Sequence, residues 1–456
     1  MIHAFPEVTD EVVRRYDLAA PRYTSYPTVP NWSCRFGPAD HAAALDRASL
    51  AAEEPLSLYV HLPFCRELCT FCGCNMVVLR AQGQVTSYLD ALERELDLVA
   101  ARLGDRRTLS QIHWGGGTPT SLDEAQLERL WRAIGQHFSV APGAELAVEI
   151  DPAVTRPSQL ELLRSFGFNR LSFGVQDLDP KVQEAIHRIQ SAEQTEALLS
   201  QARRLGFRGL NVDLIYGLPH QTPESWGRTL ERVLAMRPDR AAVYSFAYVP
   251  EIRHHQRLLP VHALPRGKEK LSLFREAYLA FQHAGFEPIG MDHFALPDDE
   301  LVRAQTEHRL RRNFQGYSAA PASLTSPEVV AVGATAISFL GGAFSQSVRP
   351  LPSYERAVAA GSFATERGLV LSEDDLVRRR IIEEVMCDFW TDLGPGCEAH
   401  LSPELLRLQE LEREGLCRLR GSELELTPLG RIFVRNVATV FDAYLKSSDQ
   451  GFSRTV

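Results

Sequence analysis

The strongest constraint on the fold is an alternation between two kinds of segment, which runs from about residue 56 to residue 291. Short runs rich in β-branched and aromatic residues are separated by longer segments in which apolar residues recur at steps of three and four, as between Leu89 and Leu103. This alternation is typical of a parallel sheet wrapped by helices. The predicted strands are Leu56–Val60, Gln111–Trp114, Glu145–Ile150, Arg170–Val175, Leu210–Tyr216, Ala242–Tyr248 and, as a possible seventh, Glu287–Met291.

Polar residues and glycines collect at the carboxyl ends of these strands. Because enzymes built on (β/α) barrels place their sites at those ends, six or more units favour a full or partial barrel over a flat, doubly wound sheet. Glu149 alternates with the apolar residues of its strand and is predicted to face the barrel lumen, although a solvated edge strand would alternate in the same way. The residues at the strand ends are His61, Gly115–Thr118, Glu149, Asp151, Gln176, Asp177, Asp213 and Ala247.

The rest of the chain differs from the barrel. Residues 1–50 hold no long periodic segment, but Pro21–Thr28 is aromatic and proline-rich, and we expect it to lie over the active site. Residues 51–295 form the predicted barrel, and 296–365 complete it and add a loop on the substrate side. Residues 366–456 are predicted to form a mainly helical domain, with one helix opened by Ser372 and another running from Thr427 to Tyr444. The predicted fold class is therefore α/β.

The charge balance disfavours several classes of partner. The net charge is −9 and no block of Lys and Arg stands out, so we expect neither nucleic acid nor a membrane surface as a partner. Residues Met1–Tyr16 lack a basic segment followed by an apolar run, and no stretch reaches transmembrane length. We expect a cytoplasmic, monomeric protein.

Four of the eight cysteines lie directly after the first predicted strand. The spacings between Cys65, Cys69 and Cys72 allow three thiolates to converge on one inorganic centre. A [4Fe-4S] cube held by three cysteines leaves one iron open for an outside ligand, and S-adenosylmethionine (SAM) can bind there. A structural zinc site with Cys74 as fourth ligand is the alternative, although the Cys72-Gly-Cys74 spacing is tight for a tetrahedral site. The scattered cysteines are expected to be core hydrophobes: Cys34, Cys387, Cys397 and Cys417.

A glycine run, Gly115–Gly117, follows the second predicted strand and leads into Thr118. Glycines let the backbone approach a ligand closely, although such a run can equally be plain turn chemistry. Its place on the same barrel face as the cysteines favours a cradle for the methionine group of SAM.

Longer motifs narrow this interpretation. The string Tyr59–Asn75 resembles the radical SAM superfamily and, more narrowly, the oxygen-independent coproporphyrinogen III oxidase family. The resemblance covers nearly the whole chain and implies a radical SAM partial (β/α) barrel with an N-terminal covering segment and a mainly helical C-terminal domain. The other motifs that carry it are Arg22–Thr28, His113–Thr120, Glu149–Pro152, Phe168–Asp177, Val212–Pro219, Gly290–Phe294 and Asn313–Tyr317.

The resemblance implies a reaction. Two propionate side chains of coproporphyrinogen III would be oxidatively decarboxylated to vinyl groups, giving protoporphyrinogen IX and CO2 without O2, in porphyrin and haem biosynthesis. Two SAM molecules would be converted to methionine and 5′-deoxyadenosine as each propionate loses a β-hydrogen atom, and an electron acceptor would take the remaining electron. The expected partners are coproporphyrinogen III and a reductant protein such as flavodoxin or ferredoxin.

The resemblance also implies roles for single residues. Cys65, Cys69 and Cys72 would bind the cluster, and Arg22 is the best candidate for a cation that meets the substrate's carboxylates. The other residues implied in catalysis are Cys74, which alone would pass for a packed loop residue, and Gln315. From its position alone, Arg188 would be a solvated surface arginine, but the resemblance implies that it contacts SAM. The residues implied at the cofactors, mostly at one or other of two SAM molecules, are Tyr59, Phe71 near adenine, Cys74, Gly116, Gly117, Thr118, Glu149, Gln176, Arg188, Asp213, Ala247 and Ile337.

One stretch departs from the family pattern. After Asn313–Tyr317 the family usually continues with paired threonines and a short acidic turn, whereas Ser318–Pro327 is longer and uncharged. This difference leaves open the alternative that the chain is a related enzyme acting on another tetrapyrrole. A haem-trafficking relative is a further alternative. Such relatives typically lack the last cysteine of the cluster motif, the Arg22–Thr28 segment and the Asn313–Tyr317 motif, all of which are present in this chain.

Overall fold

The computed structural model describes residues 5–320, 328–445 and 452–455. Its main feature is a twelve-stranded sheet, in which six parallel strands lie side by side in chain order. Each of the first six predicted strands overlaps one of them, so the predicted parallel α/β architecture is confirmed. We name these strands β1 to β6: Leu56–Leu62, Thr108–Gly116, Ser139–Ile150, Arg170–Gln176, Gly209–Tyr216 and Arg240–Ser245.

Helices connect these strands and cover the sheet. In the first connection, the apolar residues predicted to share one helix face, from Leu89 to Leu103, are all buried, and Gly104 ends that helix with a positive φ of 57°. Several of the other helices begin with a polar N-cap residue. Asp123, for example, accepts a hydrogen bond from the backbone N–H of Gln126. The helices of this layer are Gln82–Leu103, Glu124–His137, Pro157–Ser165, Pro180–Ala185, Ala192–Arg204, Pro223–Ala235 and Lys268–His283.

Beyond β6 the sheet changes direction. Strand β7 (Glu287–Ile289) pairs antiparallel with β8 (His293–Ala295), and β8 pairs antiparallel with β6. The possible seventh barrel strand at Glu287–Met291 is therefore a short antiparallel edge strand. The reason is Gly290, whose φ of 56° turns the chain back after three residues.

On its other side the sheet is extended by later parts of the chain. A hairpin of β9 (Leu310–Asn313) and β10 (Gly316–Ala319) precedes β11 (Val329–Val332), which pairs parallel with β1. Antiparallel strands then follow outward: β12 (Ile337–Leu340), β13 (Ala343–Ser347) and β14 (Thr365–Val370). Within the described residues β14 and β7 are the two edges and do not pair with each other, so the barrel is partial.

The C-terminal part contains helices, as predicted, but also a three-stranded antiparallel sheet that the sequence did not reveal: β15 (Trp390–Asp392), β16 (Cys417–Arg420) and β17 (Glu423–Leu426). The long helix predicted from Thr427 to Tyr444 is wrong. It is broken at Phe433, whose ring is fully buried and whose backbone, at φ −105° and ψ 30°, leaves the helical conformation; the chain then resumes as the fully buried helix Val434–Ala438. The helices of this part are Glu373–Asp388, Cys397–His400, Ser402–Arg413, Pro428–Ile432 and Val434–Ala438.

The N-terminal segment lies against the barrel and the C-terminal part at once. Arg22 donates a hydrogen bond from Nη2 to the carbonyl oxygen of Ser245 at the end of β6, over 2.6 Å. The next residue, Tyr23, donates to Asp442 Oδ2 over 3.0 Å. None of the described helices combines the length and apolar composition needed to cross a bilayer. The remaining helices are Asp10–Tyr16, Pro38–Ala48, Glu300–Thr306 and Leu351–Ala359.

Candidate active site

A cavity of about 600 Å³ opens at the carboxyl ends of the parallel strands, where the sequence predicted the chemistry to gather. One part of its wall is the cysteine loop, Cys65–Cys74, which follows β1. Polar residues of β3, β4 and β5 form another part. The tip of the β9–β10 hairpin adds Phe314 and Gln315, and the N-terminal segment adds Arg22.

The cysteine loop is held by backbone and side-chain contacts. Cys65 belongs to a short strand, Phe64–Cys65, that pairs with Val77–Val78, and the buried Thr70 donates its backbone N–H to the carbonyl oxygen of Ile186 over 3.0 Å. Cys65 Sγ lies 3.5 Å from Thr118 Oγ1. These contacts present the thiols of the loop to the cavity.

The donor set of the loop fits an iron–sulfur cluster. Burial raises the pKa of Cys65 to about 12, so its thiolate needs a positive centre to form near neutral pH. Within the described ranges, no three His, Cys, Asp or Glu side chains surround a point where one metal ion could bind. A cube binds each cysteine through a different iron, so its ligands need not meet at one point.

Glu149 lines the cavity, consistent with its predicted orientation toward the lumen. Its Oε1 accepts a hydrogen bond from His113 Nε2 over 3.0 Å, and its Oε2 accepts one from the backbone N–H of Gly116 over 3.1 Å. Burial acts to raise the pKa of Glu149, but the interactions with His113 and Gly116 outweigh it and hold that pKa below its usual value. Glu149 therefore presents a carboxylate to the cavity.

Asp213, three residues before the end of β5, is the second carboxyl group on this wall. Ser172 donates to its Oδ2 over 2.7 Å, and Asn211 donates to its Oδ1 over 2.8 Å. Burial nevertheless raises the pKa of Asp213 to about 6. The pKa of Glu149 is thus lowered and that of Asp213 is raised, so Glu149 is the stronger acid of the two.

Arg188 is buried, so the alternative of a solvated surface arginine is wrong. Its side chain is 12% exposed, and Nη1 lies 3.0 Å from Asp151 Oδ2. The same nitrogen lies 3.7 Å from Cys69 Sγ, and Nη2 donates to the carbonyl oxygen of Gly174 over 2.6 Å. Arg188 therefore brings a fixed positive charge to the cysteine loop.

Comparison with known proteins identifies the family. Residues 59–233 match the radical SAM superfamily. The chain is 40% identical to the oxygen-independent coproporphyrinogen III oxidase of Synechocystis over 100% of both proteins, and 41% identical to that of Escherichia coli over 98% of both. The chain belongs to the oxygen-independent coproporphyrinogen III oxidase family. A solved structure of coproporphyrinogen III oxidase from Escherichia coli, described as a radical SAM enzyme, matches with a TM-score of 0.88 and 41% identity, over 93% of this chain and 98% of that one.

Membership of the oxygen-independent coproporphyrinogen III oxidase family makes this chain an enzyme whose cofactors are a [4Fe-4S] cluster and SAM. It also decides between the cluster and the zinc alternative at the cysteine loop. The loop Ser318–Pro327, which departs from the family pattern, lies mostly in residues 321–327, outside the described residues.

Most residues that the sequence implicated meet at this one cavity, but Tyr59 and Ile337 do not line it. Tyr59 is buried behind the wall, where its hydroxyl donates to His61 Nδ1 over 3.0 Å. Ile337 belongs to β12 and packs with Trp32 and other apolar side chains. The predicted residues that do line the cavity are Arg22, Cys65, Cys69, Phe71, Cys72, Cys74, Gly116, Gly117, Thr118, Glu149, Gln176, Arg188, Asp213, Ala247 and Gln315.

The glycine run has a packing role besides the cradle suggested by its position. Gly116 and Gly117 line the cavity. A Cβ on Gly117 would lie 2.6 Å from the carbonyl oxygen of Pro63, and one on Gly115 would lie 2.6 Å from Glu149 Oε1. A side chain at Gly117 would therefore collide with the backbone of Pro63, and one at Gly115 would displace the carboxylate of Glu149.

Residues after β6 were missed by sequence reasoning. Gln256 is 1% exposed and donates from Nε2 to the carbonyl oxygens of Phe71, over 3.0 Å, and Ala247, over 3.1 Å. His255 Nε2 donates to the carbonyl oxygen of Cys72 over 2.8 Å, and Arg253 lines the cavity. The segment carries no spacing pattern that indicates a site, so only its contacts with the cysteine loop reveal it.

Proposed function

We propose that this chain catalyses the oxidative decarboxylation of two propionate side chains of coproporphyrinogen III to vinyl groups, without O2. The products are protoporphyrinogen IX, CO2, methionine and 5′-deoxyadenosine. The observation that carries the proposal is that one cavity is lined by the cysteine loop, by a fixed carboxylate, Glu149, and by Arg22 and Gln315. A cluster loop and a cation for substrate carboxylates are the two requirements of this reaction.

When bound, the cluster and SAM supply a one-electron cleavage of a carbon–sulfur bond, which removes one hydrogen atom from the substrate. The protein binds and orients the groups. Cys65, Cys69 and Cys72 hold the cluster, while Arg188 offsets negative charge beside Cys69. Glu149 attracts the positive amino group or sulfonium of SAM.

We propose that two SAM molecules contact this cavity. The backbone of Gly116 and Gly117 receives the first, with Thr118 and Phe71 beside it. Gln176, Asp213 and Ala247 lie along the same cavity toward the ends of β4, β5 and β6 and are the residues proposed for the second. In this proposal Tyr59 supports the SAM site from behind the cavity wall. Ile337 contacts SAM only if β12 or the bound SAM shifts.

The substrate is proposed to meet the residues that do not belong to the cofactor site. Arg22 provides a cation for a propionate carboxylate. Cys74 and Gln315 are proposed to act on the reacting substrate, because both line the cavity without forming part of the three-cysteine cluster set.

We propose the domain boundaries that the sequence predicts. Residues 1–50 cover the active site, 51–295 form the radical SAM barrel, 296–365 complete it on the substrate side, and 366–456 form the C-terminal domain. We also propose that the protein works as a cytoplasmic monomer. Its electron donor is proposed to be a flavodoxin or a ferredoxin.

An anaerobic assay tests the function. Reconstituted protein is given SAM, a reductant and coproporphyrinogen III, and we expect protoporphyrinogen IX with two molecules of 5′-deoxyadenosine per product. Cys69→Ala, which removes one cluster ligand, is the inactive control. SAM cleavage only with a different tetrapyrrole would identify a related enzyme, and haem binding without turnover would identify a trafficking protein.

A further inference from the structure

Arg253 is a cation of the active-site cavity that has no carboxylate partner in the part of the chain that the structure describes. It follows β6 by eight residues and lines the cavity. Its Nη2 donates to Asn75 Oδ1 over 3.1 Å, at the end of the cysteine loop. The other two arginines of the cavity have acidic neighbours: Arg22 Nη1 lies 3.8 Å from Asp292 Oδ2, and Arg188 Nη1 lies 3.0 Å from Asp151 Oδ2. No Asp or Glu among the described residues forms such a pair with Arg253.

The surroundings of Arg253 are unfavourable for an unpaired cation. Burial lowers the pKa of Arg253, and the positive charge of Arg349 lowers it further. The groups that favour its charge are Cys72 and Cys74, and they do so only as thiolates. Because a half-buried guanidinium without a counter-ion costs free energy, the site is stabilised by any anion that binds in the cavity.

The segment that carries Arg253 is anchored to the C-terminal end of the cysteine loop. His255 and Gln256 donate to the carbonyl oxygens of Cys72 and Phe71, over 2.8 Å and 3.0 Å. Arg253 itself is held by Asn75. The guanidinium is therefore held in place before a ligand arrives, which reduces the entropy lost on binding.

We propose that Arg253 binds a propionate carboxylate of the tetrapyrrole substrate, as a cationic contact separate from Arg22. The inference rests on the proposed function and names a substrate contact within it. A guanidinium matches a carboxylate through two parallel hydrogen bonds, and coproporphyrinogen III carries four carboxylates. The methionine part of SAM also carries a carboxylate, so the experiment must separate the two sources.

The test compares Arg253→Gln and Arg253→Lys with Arg257→Gln, a matched substitution at an exposed residue of the same segment that does not line the cavity. The probe is coproporphyrin III, the stable oxidised tetracarboxylate, whose binding to the cluster-loaded protein is followed by its fluorescence. We expect Arg253→Gln to raise Kd about tenfold, which is about 1.4 kcal/mol, because one charge-assisted contact is lost. Arg253→Lys should keep part of the affinity, and Arg257→Gln should bind like the unmodified protein.

Two further measurements assign the carboxylate. The effect of SAM on the electron paramagnetic resonance spectrum of the reduced cluster should be the same in Arg253→Gln, while KM for coproporphyrinogen III rises about tenfold. A weakened SAM effect would assign Arg253 to the SAM carboxylate and overturn the proposal. A changed spectrum without SAM would assign it to the cluster, and unchanged Kd for coproporphyrin III would also overturn it. If the unmodified protein forms no protoporphyrinogen, the proposed function fails, while the binding comparison still decides whether Arg253 holds a porphyrin carboxylate.

Discussion

At the scale of a residue, the structure favours the charged form of Glu149, because His113 and Gly116 both donate hydrogen bonds to its carboxylate. We expect Glu149→Gln to weaken SAM binding about tenfold, since the amide keeps the shape of the side chain but loses the charge that attracts the SAM amino group. The measurement is a SAM titration followed by the spectrum of the reduced cluster. The exposed Glu128→Gln is the control, and an unchanged titration in Glu149→Gln would remove Glu149 from the SAM site.

A substitution at Cys74 tests whether cluster binding can be separated from turnover. It lies on the cavity, two residues beyond Cys72, and its backbone N–H lies 3.4 Å from Cys72 Sγ. We expect Cys74→Ser to keep about four irons per chain, because three cysteines hold a cube, yet to lose protoporphyrinogen formation. Iron content and product are measured on the same anaerobic sample, with Cys34→Ser as control, because Cys34 is exposed and its expected place in the core is wrong. Loss of iron would make Cys74 a ligand, and full activity would make it a loop residue without a part in turnover.

At the scale of an element, the helix Gln82–Leu103 attaches to the sheet through the buried carboxyl group of Glu95, whose Oε2 accepts from Gly333 N over 2.7 Å and from Tyr354 Oη over 2.6 Å. Burial raises the pKa of Glu95 from 4.5 to about 7, although both hydrogen bonds oppose the shift. Because the unfolded chain loses this proton first, the group's contribution to stability is lost as pH rises from about 4.5 to about 7. We expect Glu95→Gln to remove this loss and to gain on the order of 1–2 kcal/mol at pH 8. Unfolding midpoints at pH 5.5 and pH 8, with Glu128→Gln as control, test it; an unchanged pH dependence would contradict it.

At the scale of the whole molecule, Arg435 joins the two ends of the chain. It is 5% exposed and donates to the carbonyl oxygens of Ala20, Pro21, Ser453 and Arg454. Since Pro21 precedes Arg22, we expect Arg435→Ala to lower the free energy of unfolding by roughly 3 kcal/mol and to raise KM for coproporphyrinogen III, with SAM cleavage retained. Thermal unfolding and KM are compared with those of Arg418→Ala, an exposed arginine of β16. Lower stability with unchanged KM would limit Arg435 to a structural role.

The sequence by itself determined the features that depend on neighbouring residues. The alternation of strands and helices predicted β1 to β6, because side-chain periodicity records which face of each element is buried. The spacing of Cys65, Cys69 and Cys72 indicated the cluster loop, since its ligands come from one short segment. The helix opened by Ser372 was also predictable, because its cap is formed three residues away with Asp375.

Only the tertiary structure decided the features that depend on contacts between distant segments. The break at Phe433 and the three-stranded sheet β15–β17 follow from packing that overrides local preference, and the edge position of β7 follows from the pairing of β8 with β6. The same reason applies within the site. Arg188 is buried because Asp151 and Gly174 meet it, and Arg253 reaches the cavity because His255 and Gln256 bind a loop more than 180 residues earlier in the chain. No spacing within one segment records such contacts, since their residues become neighbours only when the barrel folds.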